Sequence, residues 1–156
     1  MLQTYYIEDS IIHFGCNDSH TFTTPLSFGT KLSKNNSSSP GQEHDFDPFW
    51  YQSIIGILMY TMLGIWSNIA YAISCLSKYS ANPSKIHLDQ ALYCLCYLAS
   101  IKTFGLKYNG ILNRDIFSLI LGYSDFDWAG DINTCYFTGD YVFFMCRAAI
   151  SWSSKL

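Results

Sequence analysis

The side chains most apt to hold a metal gather once, at His13, Cys16 and His20. Imidazole and thiolate are zinc ligands, and three of them this close in the chain is the spacing that zinc uses. A zinc site also needs a second ligand pair, and none follows, so these residues read as the end of a short helix and an irregular turn. The remaining cysteines, Cys75, Cys94, Cys96, Cys135 and Cys146, form no Cys-x-x-Cys pair. Their spacing does not mark a secreted disulfide framework; the expectation is reduced thiols inside a cell. Lys102, Lys107 and Arg114 lie near one another and have the chemistry for phosphate contacts, while 12 tyrosines and 4 tryptophans have the faces to stack on bases. Against that, 9 basic residues face 12 acidic ones, a net charge of −3 that attracts neither nucleic acid nor anionic lipid. Weak nucleic-acid binding, or none, is expected.

The elements that must position these groups are unusually apolar. Of 156 residues, 49% are hydrophobic and 17% aromatic, with only 13% charged, where globular proteins average about a quarter. The length suits one domain or parts of two. The opening "MLQTYYIEDSIIHFG" is amphipathic and carries Glu8 and Asp9, so no secretory signal is read there. An intracellular protein, cytoplasmic or nuclear, is the expectation. Tyr6, Ile7, Ile11 and Phe14 repeat at helical spacing up to Gly15, which predicts a helix over 4–14. Thr24-Pro25 opens an extended stretch, and the serine-rich, proline-broken segment 33–48 reads as a flexible linker.

From Pro48 to Ser77 there are 30 residues without a charge. By length they suffice for a membrane span, placed near 53–77, which needs about 20. The interior argues otherwise. Gly64 stops a helix, and Ser67 and Asn68 are N-cap candidates for another. Split there, Ile54, Ile55, Leu58, Met59 and Met62 share one face, and Ile69, Ala72, Ile73 and Leu76 share a second. A third helix starts at Pro83-Ser84 and carries the stripe Leu88, Ala91, Leu92, Leu95, Leu98. "TFGLKYNG" (103–110) then predicts a short strand ending in a turn at Asn109-Gly110. Three further strands are predicted at 119–128, 139–146 and 148–155, the last two as an antiparallel hairpin.

In this order the sequence resembles the polyprotein of copia-type LTR retrotransposons. The phrases that carry the resemblance are "YIED…FG" (6–15), "TPL" (24–26), "YQSIIGILMYTMLG" (51–64) and "IAYAISCLSKYSANPSKIH" (69–87). "FGLKY" (104–108), "GYSDFDWAGD" (122–131), "YVFF" (141–144) and "AISWSSK" (149–155) complete it. The matching part is the end of the reverse transcriptase and the start of the ribonuclease H domain. Where that family usually writes Gly-Thr-Arg-Pro-Asp-Ile, this chain has Gly64-Ile65-Trp66-Ser67-Asn68-Ile69. The apparent span is therefore a helix-break-helix unit whose break has lost its charges. The third helix likewise holds Tyr93, Cys94, Cys96 and Ala99 where basic residues are usual, and 135–140 departs from a basic-Ser-Thr-Ser-Gly pattern. Many of these changes are single C-to-T or G-to-A events, the mark of a copy worn by cytosine deamination. Counting transitions against transversions relative to intact copies tests that hypothesis.

The resemblance also implies what chemistry remains. The family's polymerase aspartates lie upstream of everything matched here, and no Tyr-x-Asp-Asp occurs in the chain. Ribonuclease H cleavage uses several acids around two Mg2+ ions, which activate water and stabilise the leaving oxygen. By resemblance Asp125 is the first of those acids, a catalytic and metal-binding position now vestigial. Alternation sends Asp127 to the same sheet face, as an assistant or a solvated neighbour. The family's further acids follow the "ISWSSK" segment. One carboxylate grips Mg2+ weakly, because the ion keeps its waters unless ligands converge.

The sequence thus predicts an α+β chain in two parts. Residues 1–110 are a helical reverse-transcriptase C-terminal region with its linker, and 111–156 are an incomplete three-stranded antiparallel ribonuclease H-like sheet. The ancestral partner is an RNA/DNA hybrid and the ancestral cofactor Mg2+; the chain itself is expected to be inactive. The rivals are a small integral membrane protein and a co-opted protein that binds intact element polyproteins. Three strands without helical cover leave an edge and an apolar face exposed, which predicts self-association.

Overall fold

The computed structural model describes residues 2–16, 22–30, 32–33, 46–108, 120–127 and 138–155. It is an α+β arrangement of four helices followed by an antiparallel sheet. The helices are α1 (Thr4–Phe14), α2 (Pro48–Gly64), α3 (Ala70–Ser77) and α4 (Lys85–Ile101). The strands are β1 (Leu121–Asp127), β2 (Thr138–Met145) and β3 (Ala148–Lys155), in the order β1-β2-β3.

The uncharged run breaks where its sequence suggests. Helix α2 opens on Asp47, whose side chain accepts from the Phe49 amide at 2.9 Å, with Pro48 in the first turn. Pro48 is thus helical, although the linker was expected to reach it; residues 34–45 of that linker lie outside the described residues. At its other end a Cβ on Gly64 would overlap the Gln3 amide, so glycine lets α1's leading residue press against the helix terminus. A 3-10 turn at Ser67–Ile69 then leads into α3. Ser67 and Asn68 form that turn rather than capping α3, whose start carries no side-chain cap. Among the described residues no helix is long and apolar enough to cross a membrane. The single span near 53–77 is replaced by two helices that fold against each other: the buried Tyr51 hydroxyl donates to the Leu76 carbonyl at 2.7 Å.

The core lies between the four helices. Ile7, Ile11 and Phe14 of α1 meet Tyr51, Ile54, Ile55 and Leu58 of α2, Ala72, Ile73 and Leu76 of α3, and Leu88, Ala91, Leu95 and Leu98 of α4. Met59, expected on the buried face, is 40% exposed. One position beyond Leu58, it is turned about 100° off the contact stripe, whereas Met62 packs partly buried against the core and Thr61 is buried beside it. Helix α1 ends at Gly15 in the left-handed region (φ 69°), which favours a residue without Cβ. Helix α4 starts on a capping box: the Ser84 amide donates to His87 Nδ1 at 3.0 Å, and the Ser84 side chain accepts from the His87 amide. Two expected extended segments differ. Residues 23–26 bend, with a turn at 28–29, and residues 104–108 join no sheet. The Asn109-Gly110 turn lies outside the described residues.

Strands β2 and β3 form the expected hairpin, joined by Cys146 and Arg147, both at positive φ (52° and 66°). Phe143 pairs with Ser151 and Phe144 with Ala149, so Ile150 is the extra residue of a bulge. One sheet face is not bare, as was expected, but sits on α3 and the 3-10 turn through β3. There the Trp152 indole donates to the Met62 carbonyl at 3.2 Å, satisfying one of the terminal acceptors of α2. The opposite face is open: Phe126, Tyr141, Phe143 and Met145 remain exposed. On it the Phe143 ring covers Gly122, where a Cβ would collide.

Candidate functional site

The inner sheet face and the helix break enclose a cleft of about 360 Å3. Its position follows from the two devices above: the break turns the chain at Ser67, and Trp152 holds β3 over the end of α2. The floor of the cleft is set by register. Asp125 is the direct cross-strand partner of Asp140, and Asp140 of Ser154, so a polar row crosses all three strands. Tyr123, Val142 and Trp152 form the next row, and Ser67, Asn68 and Tyr71 face them from the helical side.

The chemistry of that row is unbalanced. Two carboxylates sit on adjacent strands, a placement in which like charges repel. Asp140 Oδ1 and Ser154 Oγ are buried and accept no hydrogen bond. Asp125 is exposed, and its Oδ1 accepts from the Phe126 amide at 2.9 Å. The row therefore offers acceptors to an incoming donor or cation. Two carboxylates are about what a protein contributes to a Mg2+ ion whose remaining ligands are waters and phosphate oxygens. Among the described residues no group of three or more His, Cys, Asp and Glu is placed to hold a metal.

Other candidates fare differently. Asp127 is the backbone partner of Thr138, in the same alternation as Asp125. His13 stacks on Trp50 at 5.7 Å and Cys16 packs on the helical core, while His20 lies outside the described residues. Lys102 does not stand ready for phosphate: its Nζ pairs with Glu8 at 2.8 Å. Lys107 is exposed, and Arg114 lies outside the described residues. The residue that sequence reasoning missed is Asp140. It entered only within the 135–140 departure from the family pattern, and its signal was its own charge, a carboxylate inside the strand expected at 139–146.

No family model matches the chain, and no solved structure matches it. Its curated relatives are informative. It is 33% identical over 155 residues to the "Retrovirus-related Pol polyprotein from transposon TNT 1-94" of Nicotiana tabacum, covering 99% of this chain and 11% of that protein. It is 31% identical over 153 residues to the "Retrovirus-related Pol polyprotein from transposon RE1" of Arabidopsis thaliana, covering 98% of this chain and 10% of that protein. A third relative is "Secreted RxLR effector protein 161" of Plasmopara viticola, 34% identical over 105 residues, which are 67% of this chain and 71% of that protein. The chain belongs to the Pol polyproteins of copia-type retrotransposons. It spans about a tenth of the length of the Pol relatives.

Proposed function

We propose that this is a Pol segment in which residues 1–110 are the C-terminal region of a reverse transcriptase and residues 111–156 begin a ribonuclease H domain. Supporting this reading, the family phrases occur in order along the chain, and the helices precede the sheet. Asp125 is the first ribonuclease H acid. It would hold Mg2+, with Asp140 opposite as a second ligand that the family pattern does not supply. The ion's part in such a site is to activate water beside a phosphodiester of an RNA/DNA hybrid. The chain alone does not cut: the observation that carries this is the count of acids matching the family, which is one. The protein works inside the cell.

The test is cleavage of a labelled RNA/DNA hybrid by the purified chain in Mg2+ or Mn2+. No product above the no-protein control is expected. Metal-dependent product that disappears in Asp125→Asn overturns the reading.

The Plasmopara viticola relative supports a second reading. The shared stretch makes up most of a protein not named as a Pol polyprotein. On that reading the chain is a stand-alone binding protein that joins intact element polyproteins through its open aromatic face. Co-purification of tagged chain with full-length Pol protein supports it, and loss of capture in Phe143→Ser ties the contact to that face.

A further inference from the structure

Helix α2 holds no charged residue from Pro48 to Gly64, and only one of its faces meets the core. The face turned away carries Phe49, Gln52, Gly56, Met59, Tyr60 and Leu63 within a band about 100° wide. Phe49 is 69% exposed and Leu63 70%. Residues 34–45, which lead toward α2, have no large apolar side chain with which to cover that band. We propose that this face pairs with the same face of a second copy of the chain, the two α2 helices crossing antiparallel at Gly56 about a two-fold axis.

Gly56 is the midpoint of α2, and a Cβ placed on it would meet nothing within 4 Å. Among the described residues, then, no neighbour calls for a glycine there; a second helix crossing closely does. A two-fold axis through Gly56 sets Phe49 against Leu63 of the second copy, Gln52 against Tyr60, and the small Ser53 against Met59. Parallel pairing would instead crowd Met59 and Tyr60 onto their own copies and leave Gln52 facing Gln52. The polar groups at this contact are already engaged inside the chain. The Ser53 hydroxyl donates to the Phe49 carbonyl at 2.8 Å, and the Gln52 amide donates to the Ser80 carbonyl at 2.9 Å, so covering them costs less. Tyr60 is steadied by its ring contact with Tyr6 at 4.8 Å and has less freedom to lose. An uncharged face meets its own copy without repulsion, and with no lysine or arginine it has no charge to hold a lipid surface. At about 200 Å2 per aromatic side chain, Phe49, Trp50 and Tyr60 expose roughly 330 Å2. Met59, Leu63 and Leu2, next to the Gln3 that abuts Gly64, bring the patch near the roughly 800 Å2 that each partner gives to a stable pair.

Sedimentation velocity of the full chain at roughly 50 μM, above the micromolar limit of such contacts, is expected to show a two-chain species that dissociates on dilution. Gly56→Leu fills the crossing point. The pair is lost, while the diluted monomer melts about 2–4 °C higher, because leucine suits a helix interior better than glycine. Leu63→Glu also abolishes the pair, and Phe143→Ser, on the open sheet face, keeps it. Under oxidation Phe49→Cys chains link to Leu63→Cys chains at the substituted positions, and neither variant links to itself there. A monomer at every concentration, a pair that survives Gly56→Leu, association that Phe143→Ser removes, or Phe49→Cys chains linked to each other overturns the proposal.

Discussion

Asp140 stands directly across the β1–β2 ladder from Asp125, which places two carboxylates side by side on one sheet face. Opposed like charges weaken a strand pair by roughly 0.2–1 kcal/mol. Asp140→Asn is therefore expected to raise the denaturation midpoint in low salt by an amount in that range. The gain shrinks in 1 M salt, where the charges are screened. Equal stability of the two proteins in low salt contradicts the repulsion.

A pH dependence follows from His87. Its ring is fully buried, stacks on Tyr79 at 3.9 Å, and receives the Ser84 amide proton at Nδ1. Burial pushes its pKa below the usual 6.5. The unfolded chain thus takes up this proton first. Stability from His87 is fully present above about pH 6.5 and falls as pH drops below it, by up to about 1.4 kcal/mol per pH unit. Urea titrations at pH 7.5 and 5.5 measure the difference. His87→Gln keeps a capping acceptor without a titrating group, and most of that difference is expected to disappear.

The hairpin turn carries strain. Cys146 and Arg147 both sit at positive φ, a conformation that costs ordinary residues about 1–2 kcal/mol each. Asparagine followed by glycine suits the two positions of such a turn. The double substitution Cys146→Asn with Arg147→Gly is expected to stabilise the chain by roughly 1–2 kcal/mol. Calorimetry checks it; a lower midpoint rejects the turn geometry.

Trp152→Phe keeps the apolar contact and removes only the bond to the Met62 carbonyl, which then loses its partner inside the fold. A loss of roughly 1–2 kcal/mol is expected. Hydrogen exchange is the sharper measurement: protection in β3 falls while α4 is unchanged.

Much of the helical layer was legible because its signals are local. The Leu88–Leu98 stripe, the Gly15 terminus and the Pro83-Ser84 start each need only a few neighbouring residues, and each stands where its spacing puts it. Gly64 also ended its helix, though the reason was distant: room for Gln3. Failures came where a partner decides. "FGLKY" has strand composition, but a strand exists only by pairing, and residues 104–108 touch the sheet through the Tyr108 hydroxyl on the Ala149 carbonyl instead. The Asp125–Asp140 row was hidden for the same reason. Its register depends on the connection between β1 and β2, whose residues 128–137 have no repeating pattern to read.

The bond from Trp152 to Met62 spans ninety positions of chain. A ribosome making this protein has already released α2 long before the tryptophan emerges, so the end of that helix waits with its carbonyl wet. Late in that interval β1 and β2 emerge in turn, and until β3 follows β2 keeps an unpaired edge.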